Sequence, residues 1–235
     1  MKAYVLNLKR RPDRLQHMRA VLPTELAVEY TTDWDIPMDG QTIDDEALKP
    51  YGLFPWQIES DNKWWSRPLK KGEVGCAIGH WSCWQRSLQA DGDVFLFFED
   101  DICPVEDFTQ RLAEGLQRLA AFDSGWDLLY LGRHGLEPDE PAIDGIVRPG
   151  FSYCTFGYAL SRAAVAKVLA TAYDQAIIPA DELLPALYLD HPREDVRRRY
   201  PKILRAYAFE PPLVTQLSRD LAGTDTEDSD FIEYF

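Results

Sequence analysis

The feature that most constrains the fold is an apolar tract that ends in three adjacent carboxylates. Residues Val94–Phe98 are all apolar, and Glu99, Asp100 and Asp101 follow them directly. A short apolar run of this kind is typical of a buried strand. The chain therefore places three negative charges at the end of what should be one of its most deeply buried elements.

Strand-like tracts alternate with segments of helical periodicity along the chain. Ala3–Leu8 is typical of a buried strand, and Asp13–Leu22 then carries apolar residues on one helical face. The other predicted strands lie near Val28–Tyr30, at Trp126–Gly132 and at Cys154–Leu160, and the other helices at Glu73–Gln89, from about Asp107 and at Arg162–Leu169, with Ser161 as a cap. This alternation predicts an α/β fold with a largely parallel central sheet flanked by helices.

The balance of charge limits the partners that the surface can attract. The chain has 39 acidic and 25 basic residues, a formal net charge of −14, and such a surface repels nucleic acid and anionic membranes. A ligand that carries phosphate must therefore be held locally, by a metal or by arginines. The 235 residues are expected to form a single domain, 1–235, with a loose acidic C-terminal tail over about 222–235.

Cysteine usage and hydropathy bear on the compartment. The longest apolar runs are too short to cross a bilayer, and no signal peptide is visible before Lys9. The four cysteines lack the pairing of a zinc site and the density of a secreted scaffold. These observations favour reduced thiols in a cytoplasmic protein without a transmembrane segment.

The three carboxylates can be explained by a metal ion. In open α/β sheets, ligands bind beyond the carboxyl ends of the strands, where Glu99, Asp100 and Asp101 are expected. Left unpaired and partly desolvated, these groups would have raised pKa values and would weaken folding. Mg²⁺ or Mn²⁺ would remove that penalty and keep positions open for a diphosphate. The alternative is a polar strand end that faces solvent, with Asp101 capping a turn before Pro104.

Five segments, in order along the chain, resemble the glycosyltransferase family 25 proteins, which include bacterial lipooligosaccharide galactosyltransferases and the procollagen galactosyltransferases. The matching segments are Tyr4–Arg14, Lys71–His80 with Trp84, Phe98–Ile102, Thr155–Ser161 and Pro179–Leu184. Three further segments are more similar to the procollagen branch: Trp126–Arg133, Asp190–Pro192 and Thr224–Glu227. Gly79 departs from the family, which usually has serine there, and this puts a hydroxyl role at that position in doubt.

The resemblance implies a GT-A-like, Rossmann-like glycosyltransferase. Its activity would be metal-dependent, inverting transfer of a hexose, galactose from UDP-galactose, to a hydroxyl on hydroxylysine of a collagen-like protein or on a glycan. Mn²⁺, or Mg²⁺, would be the cofactor and a UDP-sugar the donor. The alternative is a catalytically inactive module of the same fold that binds a sugar nucleotide or a glycan.

The resemblance also implies roles for individual residues. Asp101 and Asp100 would hold the metal, and Glu99 or Asp100 would contact ribose, sugar or a metal-bound water. The residues implied in donor binding are Asn7, Leu8, Arg11, Arg14, Gly75, His80, Glu99, Asp100, Gly157 and Tyr158. Arg11 and Arg14 are three residues apart and could offer forked donors to a diphosphate, although both could equally be solvated surface. His80 is assigned to positioning of the nucleotide or of the acidic loop, and Trp84 to the core.

Two carboxylates near residue 180 are candidates for the base. Transfer with inversion needs a carboxylate that takes the proton of the acceptor hydroxyl, and the resemblance favours Asp181 for this role with Glu182 in reserve. The alternative for this pair is simple capping of the helix that they open. Trp56, Trp64 and Trp65 lie in the irregular region 33–71 and form either a lid or acceptor wall or a satellite hydrophobic cluster.

Overall fold

A computed structural model describes residues 1–218, 220 and 223–232. Its strands are β1 (Lys2–Leu6), β2 (Ala27–Tyr30), β3 (Val94–Glu99), β4 (Ile102–Pro104), β5 (Leu128–Gly135), β6 (Glu140–Ile143), β7 (Ile146–Arg148), β8 (Ser152–Ser161), β9 (Ala206–Phe209) and β10 (Val214–Gln216). Its α-helices are α1 (Pro12–Val21), α2 (Asp45–Leu48), α3 (Lys71–Ser87), α4 (Phe108–Phe122), α5 (Arg162–Ala170), α6 (Ala180–Ala186) and α7 (Glu194–Arg199).

The central strands are buried on both faces. Side chains of a strand point alternately to its two faces, so Phe95 and Phe97 of β3 enter one core while Leu96 and Phe98 enter the other. All four are fully buried, and burial of such a side chain stabilises a fold by about 1.5–3 kcal/mol. Helices therefore cover both faces, with α3, α5 and α6 on one side and α1 and α4 on the other.

The eight-stranded sheet is mixed, with the order β2-β1-β3-β8-β5-β9-β7-β6. The α/β class is confirmed, but the prediction of a largely parallel sheet is wrong. β1 runs parallel to β2 and β3, and β5 to β9, whereas β8 is antiparallel to both of its neighbours. The reason is that the chain passes from β5 to β8 through the β6–β7 hairpin, without the helical crossover that a parallel strand needs.

The reversal of β8 determines what lies at the functional edge of the sheet. Phe98 of β3 pairs with Gly157 of β8, so residues before 157 extend past the ends of β1 and β3. The start of β8 thus reaches the edge where β1 and β3 end. In a separate two-stranded sheet, Gln216 of β10 pairs with Ile102 of β4, and this places Gln216 beside the acidic triplet.

The acidic C-terminal segment is packed, which corrects the expectation of a loose tail. Residues 223–232, here called the C-terminal strap, lie along the start of α3, where the Lys71 N–H donates to the Asp230 carbonyl at 2.8 Å. Asp225 pairs with Arg10 and Arg11, each at 2.6 Å. The acidic residues stay close because these cations compensate them; residues 222 and 233–235 of the expected tail lie outside the described residues.

Region 33–71 contains one short helix, α2, before α3 begins, as its composition indicates. All four cysteines are free thiols. Across the described part of the chain, the helices are too short or too polar to cross a bilayer.

Candidate functional site

A cavity of about 270 Å³ opens where β1 and β3 end and β8 begins. Its described lining carries seven carboxylates and one basic side chain, that of Arg14. Both Glu99 and Asp101 from the triplet face it, as does Asp181 from α6. The cavity is therefore strongly electronegative and suited to a cation.

A smaller cavity of about 70 Å³ adjoins it at the end of β1. Leu8, Met38, Gly40 and Gly72 line it, together with Asp100. Arg14, Cys76, Glu99 and Asp225 line both cavities. The two spaces are thus neighbouring compartments of one groove, with Arg14 at their junction.

Asp100 is held by residues that follow β1. Its Oδ1 accepts from Arg14 Nη1 at 2.7 Å and its Oδ2 accepts from Asn7 Nδ2 at 2.7 Å. Burial raises the pKa of Asp100 even though these two donors favour its charged form. Its two carboxylate oxygens are therefore occupied, and Asp100 connects the acidic triplet to the start of α1.

Asp101 has weaker compensation. Its carboxylate accepts from Gln216 Nε2 at 3.1 and 3.3 Å, and Arg14 Nη1 lies 3.5 Å away. Burial, together with the charge of Glu99, raises the pKa of Asp101 to about 7. A carboxylate in this state, facing a cavity beside Glu99, has the oxygen chemistry that a hard divalent cation prefers.

Glu99 is positioned by a buried relay of four side chains: Trp84, Tyr158, His80 and Thr155. Trp84 Nε1 donates to the Tyr158 hydroxyl at 2.9 Å, so the hydroxyl proton is available to His80 Nδ1 at 2.8 Å. His80 Nε2 then carries a proton and donates to Thr155 Oγ1 at 3.1 Å, and Thr155 donates to Glu99 at 2.8 Å. Burial raises the pKa of Glu99, but the neighbouring His80, whose Nε2 lies 3.6 Å from Oε1, and the hydrogen bond from Thr155 outweigh burial, and the net shift is downward.

Asp181 lies in the first turn of α6 and does not cap it, because the N-cap residue is Pro179. The backbone N–H of Cys154 donates to its carboxylate. Cys154 has a φ of +66°, a left-handed conformation that is costly for a residue with a side chain. Burial, followed by the charges of Glu182 and Glu99, raises the pKa of Asp181 to about 7.

Glu182, the next residue, accepts hydrogen bonds from three side chains. Its Oε1 accepts from Trp65 Nε1 at 3.1 Å and from the Tyr153 hydroxyl at 3.2 Å, and its Oε2 accepts from His191 Nε2 at 2.6 Å. His191 Nδ1 accepts the Arg193 N–H, which fixes the proton on Nε2. Glu182 therefore joins the aromatic side chains of Trp65 and Tyr153 to α6.

Other predicted residues lie near the groove without all facing it. Arg14 is 8% exposed, so it is not a solvated surface residue, and Arg11 bridges Asp13 and Asp225. Gly75 and Gly157 are instead packing positions. A Cβ on Gly75 would lie 2.2 Å from the Met38 carbonyl oxygen, and one on Gly157 would lie 2.6 Å from Val214.

The tryptophan cluster divides between core and cavity. Trp56 is 1% exposed and packs in the core, and its Nε1 donates to the Trp64 carbonyl at 3.0 Å. Trp64 also lines the large cavity, with Lys63 and Arg67 within 5.1 Å of its ring centre. Trp56 also reaches the lining of this cavity, and the lid or acceptor wall stays a prediction.

Several residues at this site were not assigned from the sequence. Gln216 reaches Asp101 across 115 positions of the chain, and nothing local indicates this contact. Tyr153 and Thr155 depend on the direction of β8, which periodicity does not reveal. His191 lies in the segment Asp190–Pro192 that resembles the procollagen branch, and that resemblance was the available signal.

Comparison with known proteins identifies a family. The model for glycosyltransferase family 25, described as an LPS biosynthesis protein, matches residues 1–131. The chain is 32% identical over 219 residues to the probable inactive glycosyltransferase 25 family member 3 of Bos taurus, which covers 90% of this chain and 36% of that protein. It is 30% identical over 220 residues to procollagen galactosyltransferase 1 of Danio rerio, covering 91% and 36%.

The similarity has a limited span. The glycosyltransferase 25 family member of Anopheles gambiae is 33% identical over 240 residues, covering 96% of this chain and 39% of that protein. The chain thus spans a little more than a third of the length of the curated relatives that it matches. Among solved structures, A197 from STIV covers 92% of this chain and 85% of its own at 13% identity, with a TM-score of 0.37, which is too low to support an argument.

Proposed function

Because this chain belongs to glycosyltransferase family 25, we propose that it is a GT-A-like, metal-dependent, inverting transferase that moves galactose from UDP-galactose to a hydroxyl acceptor. One observation carries the proposal: Asp101, the proposed metal ligand, and Asp181, the proposed base, face the same cavity. A transferase of this kind needs both groups within reach of one anomeric carbon.

The carboxylates of the cavity fit a hard divalent cation. Asp101 is the proposed main ligand, because its partners are the neutral Gln216 amide and a more distant Arg14, and Glu99 faces the same space. Asp100 joins them as a ligand only if it releases Asn7 or Arg14. Bound Mn²⁺ or Mg²⁺ would neutralise charge on the diphosphate as it departs.

The residues that follow β1 are proposed to hold the nucleotide. Leu8 and Met38 give the small cavity apolar walls, and Asn7 fixes Asp100 at its edge. Arg14 stands at the junction of the two cavities, where its guanidinium can meet a phosphate in a surface that is otherwise acidic.

Asp181 is the proposed base. As the acceptor oxygen attacks the anomeric carbon, the proton of the acceptor hydroxyl moves to the Asp181 carboxylate. The bond from the anomeric carbon to the diphosphate breaks in the same step. A pKa of about 7 suits this role, because a base works best when its pKa lies near the working pH. The Cys154 N–H orients the carboxylate, while Glu182 holds Tyr153 and Trp65 beside it.

The acceptor is proposed to be hydroxylysine in a collagen-like protein or a glycan hydroxyl, since the Danio rerio relative is named a procollagen galactosyltransferase. Trp64 at the cavity supplies an aromatic face against which an acceptor can pack. The alternative is an inactive module that binds a sugar nucleotide or a glycan. It is supported by the relatives at 32% identity that are named inactive.

The experiment that tests the proposal incubates the protein with a panel of UDP-sugars and Mn²⁺ and measures released UDP. UDP-galactose is expected to give the fastest release. Binding of UDP and Mn²⁺ without release from any UDP-sugar, and without transfer to the two acceptor classes, would support the inactive module instead.

The metal assignment is tested by Asp101→Asn. This change is expected to weaken Mn²⁺-dependent UDP binding about tenfold or more, because it removes the charge that compensates the cation. Asp144→Asn is the control, since Asp144 is fully exposed and is not among the residues that line either cavity. Unchanged binding in Asp101→Asn, measured by calorimetry, would show that the metal lies elsewhere.

A further inference from the structure

A thiol, an imidazole and a carboxylate meet below the large cavity. Cys76 and His80 are four residues apart on α3 and so share one helical face, and Glu99 at the end of β3 faces them. The three ligand atoms all lie within 4.8 Å of one another, and His80 Nε2 is 3.6 Å from Glu99 Oε1. We propose that Cys76, His80 and Glu99 form a Zn²⁺ site, distinct from the hard-cation site at Asp101.

The spacing of these atoms suits zinc. With ligand bonds of roughly 2.0–2.3 Å in tetrahedral geometry, neighbouring ligand atoms stand about 3.3–3.8 Å apart. The His80 to Glu99 distance already falls in that range. The Cys76 side chain needs a movement of roughly 1 Å, which rotation about one bond supplies.

Two of the three ligands can be reached from solvent, while His80 is fully buried. Cys76 and Glu99 are half-buried and line both cavities, so a metal that enters the groove meets them directly. Excess carboxylates in the lining, Glu73 and Asp181 among them, lower the free energy of a cation there. The cavity side leaves a fourth coordination position for water, as in zinc sites with three protein ligands.

The ligand set distinguishes this site from the site at Asp101. Thiolate and imidazole are softer ligands than carboxylates and select Zn²⁺ over Mg²⁺ or Mn²⁺. Glu99 faces both positions, so occupation by zinc withdraws Glu99 from the hard cation. The inference concerns metal binding alone and holds whether or not the chain transfers a sugar.

The protons of the binding step balance as follows. The Cys76 thiol loses its proton to solvent as the zinc–sulfur bond forms, while Glu99 binds as the carboxylate. His80 stays neutral: Nε2 binds the metal, and the ring proton moves to Nδ1, which then donates to the Tyr158 hydroxyl. The proton of the Tyr158 hydroxyl then loses His80 Nδ1 as its acceptor, which lowers the affinity for zinc. About one proton, that of the Cys76 thiol, is released for each zinc ion bound.

The test uses the full chain, stripped of metal, and two readouts that do not need turnover. Titration with Co²⁺ is expected to produce a thiolate-to-cobalt charge-transfer band at about one equivalent, and Zn²⁺ is expected to displace the Co²⁺. Competition with a chromophoric chelator then gives the zinc affinity, and calorimetry in buffers of different ionisation enthalpy counts the released proton.

Matched variants decide the outcome. Cys76→Ser is expected to abolish the band and weaken zinc binding by about tenfold or more, and His80→Asn to weaken it similarly. Cys103→Ser is the control, because Cys103 is also half-buried but lies on β4, outside the lining of both cavities. The proposal is overturned if the native chain shows no thiolate-to-cobalt band, or if Cys76→Ser binds zinc as tightly as the native chain. Loss of Mn²⁺-dependent UDP binding in Asp101→Asn concerns the hard-cation site alone and does not bear on the zinc site.

Discussion

At the scale of a residue, two neighbouring carboxylates of α6, Asp181 and Glu182, differ in their hydrogen-bond partners and therefore in their proposed roles. Glu182 accepts three side-chain hydrogen bonds, while the Cys154 N–H donates to Asp181. Burial and the fixed charge of Glu182 raise the pKa of Asp181 to about 7. The surroundings of two neighbouring carboxylates can thus assign acid–base work to one of them and a supporting role to the other.

The change Asp181→Asn is expected to lower transfer by roughly two to four orders of magnitude while donor affinity stays near that of the native chain. In the native chain, kcat/KM is expected to rise with pH through about 7, because the base acts only when ionised. The variant should lose this dependence. Transfer at the native rate by Asp181→Asn would show that another group takes the proton.

The control is Glu182→Gln. Removal of its charge lowers the pKa of Asp181, so the rise in kcat/KM should move to lower pH without disappearing.

The pH dependence of stability gives a second test of the raised pKa of Asp181. Since the native pKa of Asp181 lies above its unfolded value, the stabilisation it provides is present below about pH 4 and is lost as the pH rises through 7. Asp181→Asn should therefore raise the melting temperature more at pH 8 than at pH 5.

At the scale of elements, local periodicity predicts the bounds of only some helices and strands. β1, α1 and α3 begin and end within about two residues of their predicted bounds, and α4 begins one residue from its predicted start, because their apolar spacing is carried within each segment. The direction of β8 and the short strands β4, β6, β7 and β10 depend on pairing between distant segments. Sequence spacing carries no information on such pairing.

The same distinction applies to the site. The resemblance to family 25 named Glu99, Asp101 and Asp181, which the fold brings into one cavity. It also named Gly157 and Tyr158, which lie deeper in the protein than the cavity. The reason for their depth is that β8 runs opposite to the expected direction, so that residues before Gly157 reach the edge of the sheet beside the cavity. Tyr153 and Thr155 stand there instead.

The relay joins α3, β3 and β8, and Thr155 is its last member before Glu99. Thr155→Val keeps the shape of the side chain but removes both the donor to Glu99 and the acceptor of His80 Nε2. We expect it to lower the free energy of unfolding by about 1–3 kcal/mol and to weaken Mn²⁺-dependent UDP binding. Thr155→Ser keeps the hydroxyl and should retain both properties. Calorimetry and thermal melts on the pair would contradict this role if valine and serine behaved alike.

At the scale of the whole molecule, the arrangement of charge matters more than its sum. The chain carries a net charge of −14, yet Arg10, Arg11 and Lys70 face the C-terminal strap. These pairs hold Gly223 to Glu227 against the groove, where the strap forms part of the wall of both cavities. A segment of low hydropathy is thus kept in place by cations that lie far from it in the sequence.

The change Asp225→Asn is expected to destabilise the strap, because Arg10 and Arg11 lose a shared and partly buried partner. The free energy of unfolding should fall by about 1–3 kcal/mol, and KM for the donor should rise. The difference in free energy of unfolding between the native chain and the variant should be smaller at high salt, because salt already weakens the ion pairs of Asp225 in the native chain. Asp144→Asn removes a fully exposed charge paired with Arg118 at 3.8 Å and should have little effect; an equal loss in both variants, measured by melts at two salt concentrations, would contradict the role of the strap.

The central position of β8 has a consequence for how the chain folds. In the sheet order, β2, β1 and β3 lie on one side of β8 and β5, β9, β7 and β6 on the other, so the two groups share no ladder until β8 enters between them. A nascent chain that ends before residue 152 must leave β3 and β5 with open edges, each able to pair with another chain. Folding is therefore expected to be slow and cooperative, because the contacts that close the sheet span long sequence separations. A chain truncated after β5 would aggregate instead of forming half a sheet.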